Sequence, residues 1–232
     1  MLILGIDTAT QQVGCAIGGH EGVIASFHSA RGRQHAEVIT PAIDFVCAQS
    51  RLRLQDIGAV AVDIGPGLFT GLRVGVATAK AVAHALRVPM IGVSSLDLLA
   101  FAARYSPRMI LAVVDAKRGE LYYAFYRSVP GGVQRISDYL LGTPDDVASE
   151  LMASRAECLA VGDGALRYPE LLADVPHTEI AEPGLAYPSA SSLVQLAHAR
   201  ALREEFVNPW ELKPLYLRKS DAEIRWEALG RT

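Results

Sequence analysis

Cysteine is scarce in this sequence and badly placed for cross-linking. Cys15, Cys47 and Cys158 are odd in number, far apart and without Cys-x-x-Cys spacing, which argues against a disulfide framework and offers no zinc-site pattern. A reducing, cytoplasmic setting is the expectation. Long apolar runs are missing as well: Lys80, His84 and Asp97 interrupt the most apolar segments, so no uninterrupted membrane span is expected. The start, Met1-Leu2-Ile3-Leu4-Gly5-Ile6, lacks the basic stretch of a signal peptide and runs straight into Asp7. Nor is there an excess of positive charge. With 22 Lys and Arg against 25 Asp and Glu, the net charge is -3, and no global field steers the chain onto nucleic acid. Any RNA contact is therefore local or shared with a partner. No internal repeat and no low-complexity segment is visible. What is present is hydrophobic mass, 50% of 232 residues, enough for a sizeable core arranged as two domains.

The most informative stretch runs from Ala61 to Arg73. Residues 59–64 are an apolar run of strand length with one carboxylate, and Gly65-Pro66-Gly67 is a turn. Thr70 then stands at an N-cap position ahead of an Ala/Val-rich helix reaching about Arg87. Upstream, 2–6, 13–17 and 23–28 read as strands. Residues 35–50 read as a helix with Val38, Ala42, Phe45 and Val46 on one side and a bend at Pro41. Downstream, 90–93 is a strand and 95–104 a helix. Three strands, a helix, a strand and a helix is the order of a ribonuclease-H-like half, and two such halves make the architecture of actin, Hsp70 and hexokinase. A second half follows. Strands are predicted over 109–115, 120–127 and 133–139, then a helix opened by Thr143 as cap and Pro144 in the first turn. A strand over 159–161 ends in the turn Gly162-Asp163-Gly164, and a last helix covers 189–205. The predicted fold is α/β and actin/Hsp70/hexokinase-like, with two ribonuclease-H-like lobes, the second reduced. Residues 1–105 form the first lobe and 106–232 the second, with an extended tail from about Asn208 able to pack back.

Backbone N–H groups at a strand–glycine–helix corner favour an anion, so Asp7, Thr8, Gly65, Gly67 and Thr70 form a candidate nucleotide or phosphate site, vestigial in kind. Two readings stand side by side. One is a phosphate cradle. The other is a tight turn that lets the helix pack, with Asp7 accepting N–H bonds of its own hairpin. Actin-like phosphotransferases carry a glycine two residues after the matching acid, where this chain has Ala9. His35 with Glu37 and Ile39 is not a zinc-hydrolase helix, because the i+4 position is apolar; a hydrogen bond at a helix start is expected instead. Asp115 and Glu120 flank a hairpin turn at Lys117-Arg118-Gly119, Asp115 steadying the turn and Glu120 solvated, with acid–base catalysis as the alternative. The serines lack a readable His/Asp partner. No catalytic residue, metal ligand or cofactor is expected. Gly71, Gly75, Ala79 and Ala83 recur every four residues, a stripe of small side chains beside the apolar ridge Leu72, Val76 and Leu86. Such a stripe admits close approach, either by the chain's own sheet or by a partner helix.

At Gly65-Pro66-Gly67-Leu68-Phe69-Thr70-Gly71-Leu72-Arg73-Val74-Gly75 the sequence resembles the TsaB (YeaZ) family. Three other stretches agree: Ile6-Asp7-Thr8-Ala9-Thr10, Asp115-Ala116-Lys117-Arg118-Gly119-Glu120-Leu121-Tyr122, and Pro214-Leu215-Tyr216-Leu217-Arg218. The match runs over nearly the whole chain. The resemblance implies a non-catalytic scaffold for N6-threonylcarbamoylation of adenosine 37 in tRNA, one that binds and stabilises the catalytic paralogue TsaD and helps recruit the ATPase TsaE. It further implies a helical interface on Val38, Ala42, Phe45, Gly71, Leu72, Gly75, Val76, Ala79 and Ala83, used with TsaD or with a second copy of the chain. Transfer RNA would be met only through the complex. Arg31, Arg33, Arg51 and Arg53 flank the first helix, either as phosphate contacts or as ordinary solvated charge. TsaD-like proteins carry a His-x-x-x-His metal pair after the Ile-Gly-Val strand and an acidic pair in the first hairpin. Here those positions hold Ser95 and Leu99, and Gln11 and Gln12, which implies a pseudo-enzyme. An ATP-dependent phosphotransferase and a metallopeptidase on the same fold are the rival readings.

Overall fold

The computed structural model describes residues 1–30 and 34–218. Two sheets are built on one plan. The first holds β1 (Ile3–Asp7), β2 (Val13–Gly19), β3 (Gly22–Ser29), β4 (Ala59–Gly65) and β5 (Met90–Ser94) in the order β3-β2-β1-β4-β5. The second holds β6 (Met109–Lys117), β7 (Glu120–Val129), β8 (Gly132–Arg135), β9 (Leu140–Gly142), β10 (Cys158–Val161) and β11 (Thr178–Ile180) in the order β11-β10-β6-β7-β8, with β9 pairing β7. In each, three strands meander antiparallel and two more run parallel to the first. Short turns return a chain antiparallel, whereas a parallel neighbour needs a crossover. In the first sheet the crossovers are the helices α1 (His35–Ser50) and α2 (Phe69–Leu86). This is the doubled ribonuclease-H-like plan of the actin-like fold.

Strands covered on both faces read as continuous apolar runs. On the outer face of the first sheet, Leu4, Ile6, Val60 and Val62 meet Ile39 and Val46 of α1 and Val76 and Ala79 of α2. Between the sheets lie α3 (Ser95–Ala102) and a late helix, α7 (Ala190–Ala201). Leu193, Val194 and Ala197 of α7 cover Ile3, Ala16 and Ala61 of the first sheet, while Leu96, Leu99 and Ala100 of α3 cover Ile110, Ala112 and Val114 of the second. The far face of the second sheet is closed by α4 (Pro144–Ser154), α5 (Asp163–Arg167) and α6 (Pro169–Ala173). Helices and sheets thus alternate in five layers. Among the described residues no helix is long and apolar enough to cross a membrane.

Several expectations need correction. The final helix follows the second half in sequence but packs on the first sheet, because its apolar side fits the inner faces of β1 and β2. The tail does pack back, onto the same sheet: Val207 bridges Met90 at the β5 edge, Leu212 is buried, and the Leu215 N–H donates to the Ile64 carbonyl at 2.7 Å. The run 133–139 is not one strand but β8 and the approach to β9, interrupted where the Phe125 N–H turns to the Ser137 hydroxyl. Gly162-Asp163-Gly164 is not a plain turn, since Asp163 opens α5. Pro41 is exposed and α1 runs unbroken through it. The cap of α2 is Leu68, and Thr70 lies exposed inside the first turn. Thr143 does cap α4, in a capping box with Asp146.

Candidate functional site: a glycine corner over a buried carboxyl pair

Parallel strands in an open sheet end together, and side chains from those ends share one crevice. The β1–β4 register pairs Ile6 with Val62, so the next residues, Asp7 and Asp63, stand side by side at the carboxyl ends of two adjacent strands. Both carboxyl groups are buried, on the side facing α3. Asp7 Oδ1 accepts the Ala9 N–H at 3.1 Å, holding its own hairpin as expected. Asp63 Oδ1 accepts the Gly65 N–H and the Ser95 hydroxyl, each at 2.7 Å. The other oxygen of each, Oδ2, is buried without a hydrogen-bond partner among the described residues, and the two carboxyl groups come from neighbouring strand ends. Burial pushes both above the ordinary carboxylate range, Asp7 the further because it also faces the charge of Asp63, while the Gly65 and Ser95 donors restrain Asp63.

The glycines of the corner are explained by the same hairpin. A Cβ on Gly67 would lie 2.1 Å from the Ala9 carbonyl oxygen, one on Gly71 2.1 Å from that of Thr8, and one on Gly75 2.2 Å from the Thr8 hydroxyl. Thr8 Oγ1 donates to the Gly71 carbonyl at 2.7 Å and the Leu68 N–H to the Ala9 carbonyl at 2.7 Å. The tight-turn reading therefore accounts for Asp7, Thr8, Gly65 and Gly67, and the small stripe on α2 is filled by the chain's own turn. Of the residues expected on a partner surface, Ala42, Gly71, Leu72, Gly75, Val76, Ala79 and Ala83 are buried in the core; Val38 is half-buried and Phe45 is exposed. The reason is that α2 is small or apolar on two sides, and sequence spacing does not say which side meets the sheet. The solvent side carries Arg73, Ala77, Ala81 and Ala85, again four residues apart.

A cleft of about 380 Å³ lies between the corner and the second sheet, lined by Phe69, Thr70, Asp115, Lys117, Arg118 and Tyr216. The tail crosses it: the Tyr216 ring lies 5.1 Å from that of Phe69, and Arg73 donates to the Tyr216 hydroxyl at 3.4 Å. Asp115 accepts from the Lys117 N–H, from the Lys117 ammonium at 2.7 Å and from Arg167 at 3.1 Å, so it does steady its turn. Glu120 is not simply solvated; it is half-buried and bonded to Arg218 at 2.8 Å. His35 donates from Nε2 to the Thr10 carbonyl at 2.8 Å, the hydrogen bond expected of it at the start of α1. Of the four arginines near α1, Arg53 pairs with Asp56 at 2.8 Å and Arg51 closes α1, while Arg31 and Arg33 lie outside the described residues. Leu99 is buried in the apolar layer under the second sheet, and Ser95 serves Asp63.

Two further carboxylates take their roles from long-range partners. Asp63 was one carboxylate in an apolar run, and only strand pairing sets it beside Asp7. Asp97, on α3, accepts the hydroxyls of Tyr126 at 2.9 Å and Tyr139 at 3.0 Å and pairs with Arg200 at 3.4 Å. An acid inside an otherwise apolar eight-residue helix was the signal for it.

A five-stranded and a six-stranded sheet around two shared helices, with a carboxyl pair and a glycine corner where the first sheet ends, define an actin-like two-lobed α/β protein. Residues 23–226 match the model of the family described as TsaD: tRNA N6-adenosine threonylcarbamoyltransferase. Among curated relatives, the tRNA threonylcarbamoyladenosine biosynthesis protein TsaB of Escherichia coli is 29% identical over 99% of this chain and 98% of its own length. An uncharacterized protein of Mycobacterium leprae is 35% identical over 96% of this chain, which spans 56% of that longer relative. The structure of YeaZ from Pseudomonas aeruginosa superposes with a TM-score of 0.83 at 27% identity, covering 93% of this chain and 99% of that one. The chain belongs to this family, on its TsaB (YeaZ) branch.

Proposed function

We propose that the chain serves tRNA threonylcarbamoyladenosine biosynthesis as a non-catalytic subunit, binding and stabilising a TsaD-like catalytic paralogue and helping to recruit a TsaE-like ATPase. The observation that carries this reading is the solvent face of α1 and α2. Ala77, Ala81 and Ala85 form an exposed row of small residues, flanked by half-buried Val74 and Val82, and Val38 and exposed Phe45 stand on the adjoining helix. A row of alanines lets another helix approach closely, and the aromatic ring supplies apolar area. A paralogue sharing the corner and its helix would present a matching surface, as would a second copy of the chain. Ser95 and Leu99 support the non-catalytic part, since neither is a metal-ligating imidazole and both are committed to the fold. Transfer RNA is then met through the complex.

The experiment is reconstitution of tRNA modification with and without this chain, repeated with Ala81→Arg and Phe45→Asp. Ala81 is exposed, so Ala81→Arg should melt like wild type, whereas the Phe45 ring packs edge-on against Phe27 and Phe45→Asp should melt somewhat lower while staying folded. Co-purification with the TsaD-like subunit and modification should both be lost. Full modification without the chain would defeat the reading, as would undiminished binding by the double variant.

A further inference from the structure

We infer that one proton, held between Asp7 and Asp63, latches the ends of β1 and β4 and thereby steadies the seat of α2. The inference rests on what surrounds the two carboxyl groups. Each Oδ1 is satisfied, by the Ala9 N–H in one case and by the Gly65 N–H and Ser95 hydroxyl in the other. The nearby donors are already engaged: the Thr8 hydroxyl serves Gly71 and His35 Nε2 serves Thr10. From α3 come Ser95 and, further along, the carboxylate of Asp97; from α1 comes His35; α2 brings glycine backbone, and α7 packs with Ala190, Leu193 and Val194. No cation pairs with either carboxylate among the described residues.

Two buried carboxylates side by side without a counter-ion are a poor arrangement, whereas one proton between them satisfies both remaining oxygens. Asp7 is the donor. Asp63 is the better anion, because it accepts two hydrogen bonds and lies at the positive end of α3. The second lobe offers a comparison. Its first strand also carries a buried aspartate near its carboxyl end, Asp115, but that one is met by Lys117 and Arg167. The same strand-end position is thus satisfied by cations in one lobe and by a proton in the other. Losing the proton sets two charges against each other where Thr8 and Ala9 receive Gly67, Gly71 and Gly75, so the disturbance falls on the seat of α2.

Burial raises both carboxyls, so the stabilising form is complete below the ordinary carboxylate range and is lost as pH rises through the pair's folded value. Thermal unfolding of the full chain, from about pH 5 to about pH 9, tests this against Asp7→Asn, whose amide N–H replaces the proton permanently. Wild type should lose roughly 3 to 5 °C per pH unit between the ordinary carboxylate value and the pair's folded value, where only the native state holds the proton, and level off above it, whereas D7N should show no such slope. Parallel curves for the two proteins would overturn the latch. So would a wild-type melting temperature raised by magnesium or calcium and lowered by a chelator, with D7N indifferent to both, since the pair would then hold a cation. Should D7N fail to fold, carboxyl-carbon NMR of the wild type decides: one aspartate protonated near neutral pH supports the latch, and two ionised aspartates refute it.

Discussion

Replacing Asp97 by alanine takes away the carboxylate to which Tyr126, Tyr139 and Arg200 all turn, and with it a tie among α3, β7, the segment before β9, and α7. The cost can be built from the parts. Tyr126 is fully buried, so its hydroxyl would be left without a partner, at about 1 to 3 kcal/mol. Burial beside Asp97 pushes its ionisation upward, which keeps it a donor. Tyr139 is half-buried and can turn to water, which adds at most ~1 kcal/mol. Arg200 keeps the Gly92 carbonyl at 2.7 Å, and its pairing with Asp97 is partly open to solvent, so that loss is about 0.5 to 1 kcal/mol. The sum, roughly 2 to 4 kcal/mol, corresponds to about 5 to 15 °C in a chain of this size. Urea unfolding of D97A, Asp97→Asn, Tyr126→Phe and the D97A/Y126F double variant measures it. D97N keeps an acceptor for both tyrosines and should recover most of the loss. The double variant should cost less than the two single changes together, by about 1 kcal/mol or more. A D97A protein within ~0.5 kcal/mol of wild type, or strict additivity with Y126F, would refute the account.

The glycine corner makes a graded expectation. Gly71→Ala meets a main-chain oxygen and should cost more than Gly75→Ala, which meets the Thr8 hydroxyl; adding Thr8→Ala should partly rescue the second and not the first, as read by melting temperatures. The thiols should separate in a labelling experiment. Burial pushes Cys15 and Cys158 up to about 12, whereas Cys47 is only half-buried, so a single thiol should react with an alkylating reagent at neutral pH in the native chain. Rapid labelling of either buried cysteine would contradict the packing.

The strand and helix order was legible because local chemistry agrees with the global fold. Residues 35–50 are helical end to end, and Thr143-Pro144-Asp145-Asp146 starts α4 by capping physics that needs no tertiary partner. The family was legible from the corner and its three companion stretches. The facing of α2 was not, because Gly71, Gly75, Ala79 and Ala83 on one side and Ala77, Ala81 and Ala85 on the other are both rows of small residues. Burial of the first row follows from Thr8, which receives Gly71 and Gly75, and from the apolar core that takes Ala79 and Ala83, neither of which sequence alone brings near. The Asp7–Asp63 pair depends on β1 and β4 being neighbours in register, and the Asp97 tie on four elements from both halves of the chain. Long-range partners of polar groups leave no periodic trace.

The return of α7 and the tail to the first sheet bears on how the chain comes off the ribosome. Apart from Leu98 of α3, Ile3, Ala16, Ala61 and Val93 have no inner cover until Leu193, Val194 and Ala197 have been made, and the β5 edge stays unpaired until Val207 arrives. A nascent first half therefore shows a bare apolar sheet face and an open strand edge for most of synthesis, the state in which aggregation and chaperone capture compete with folding.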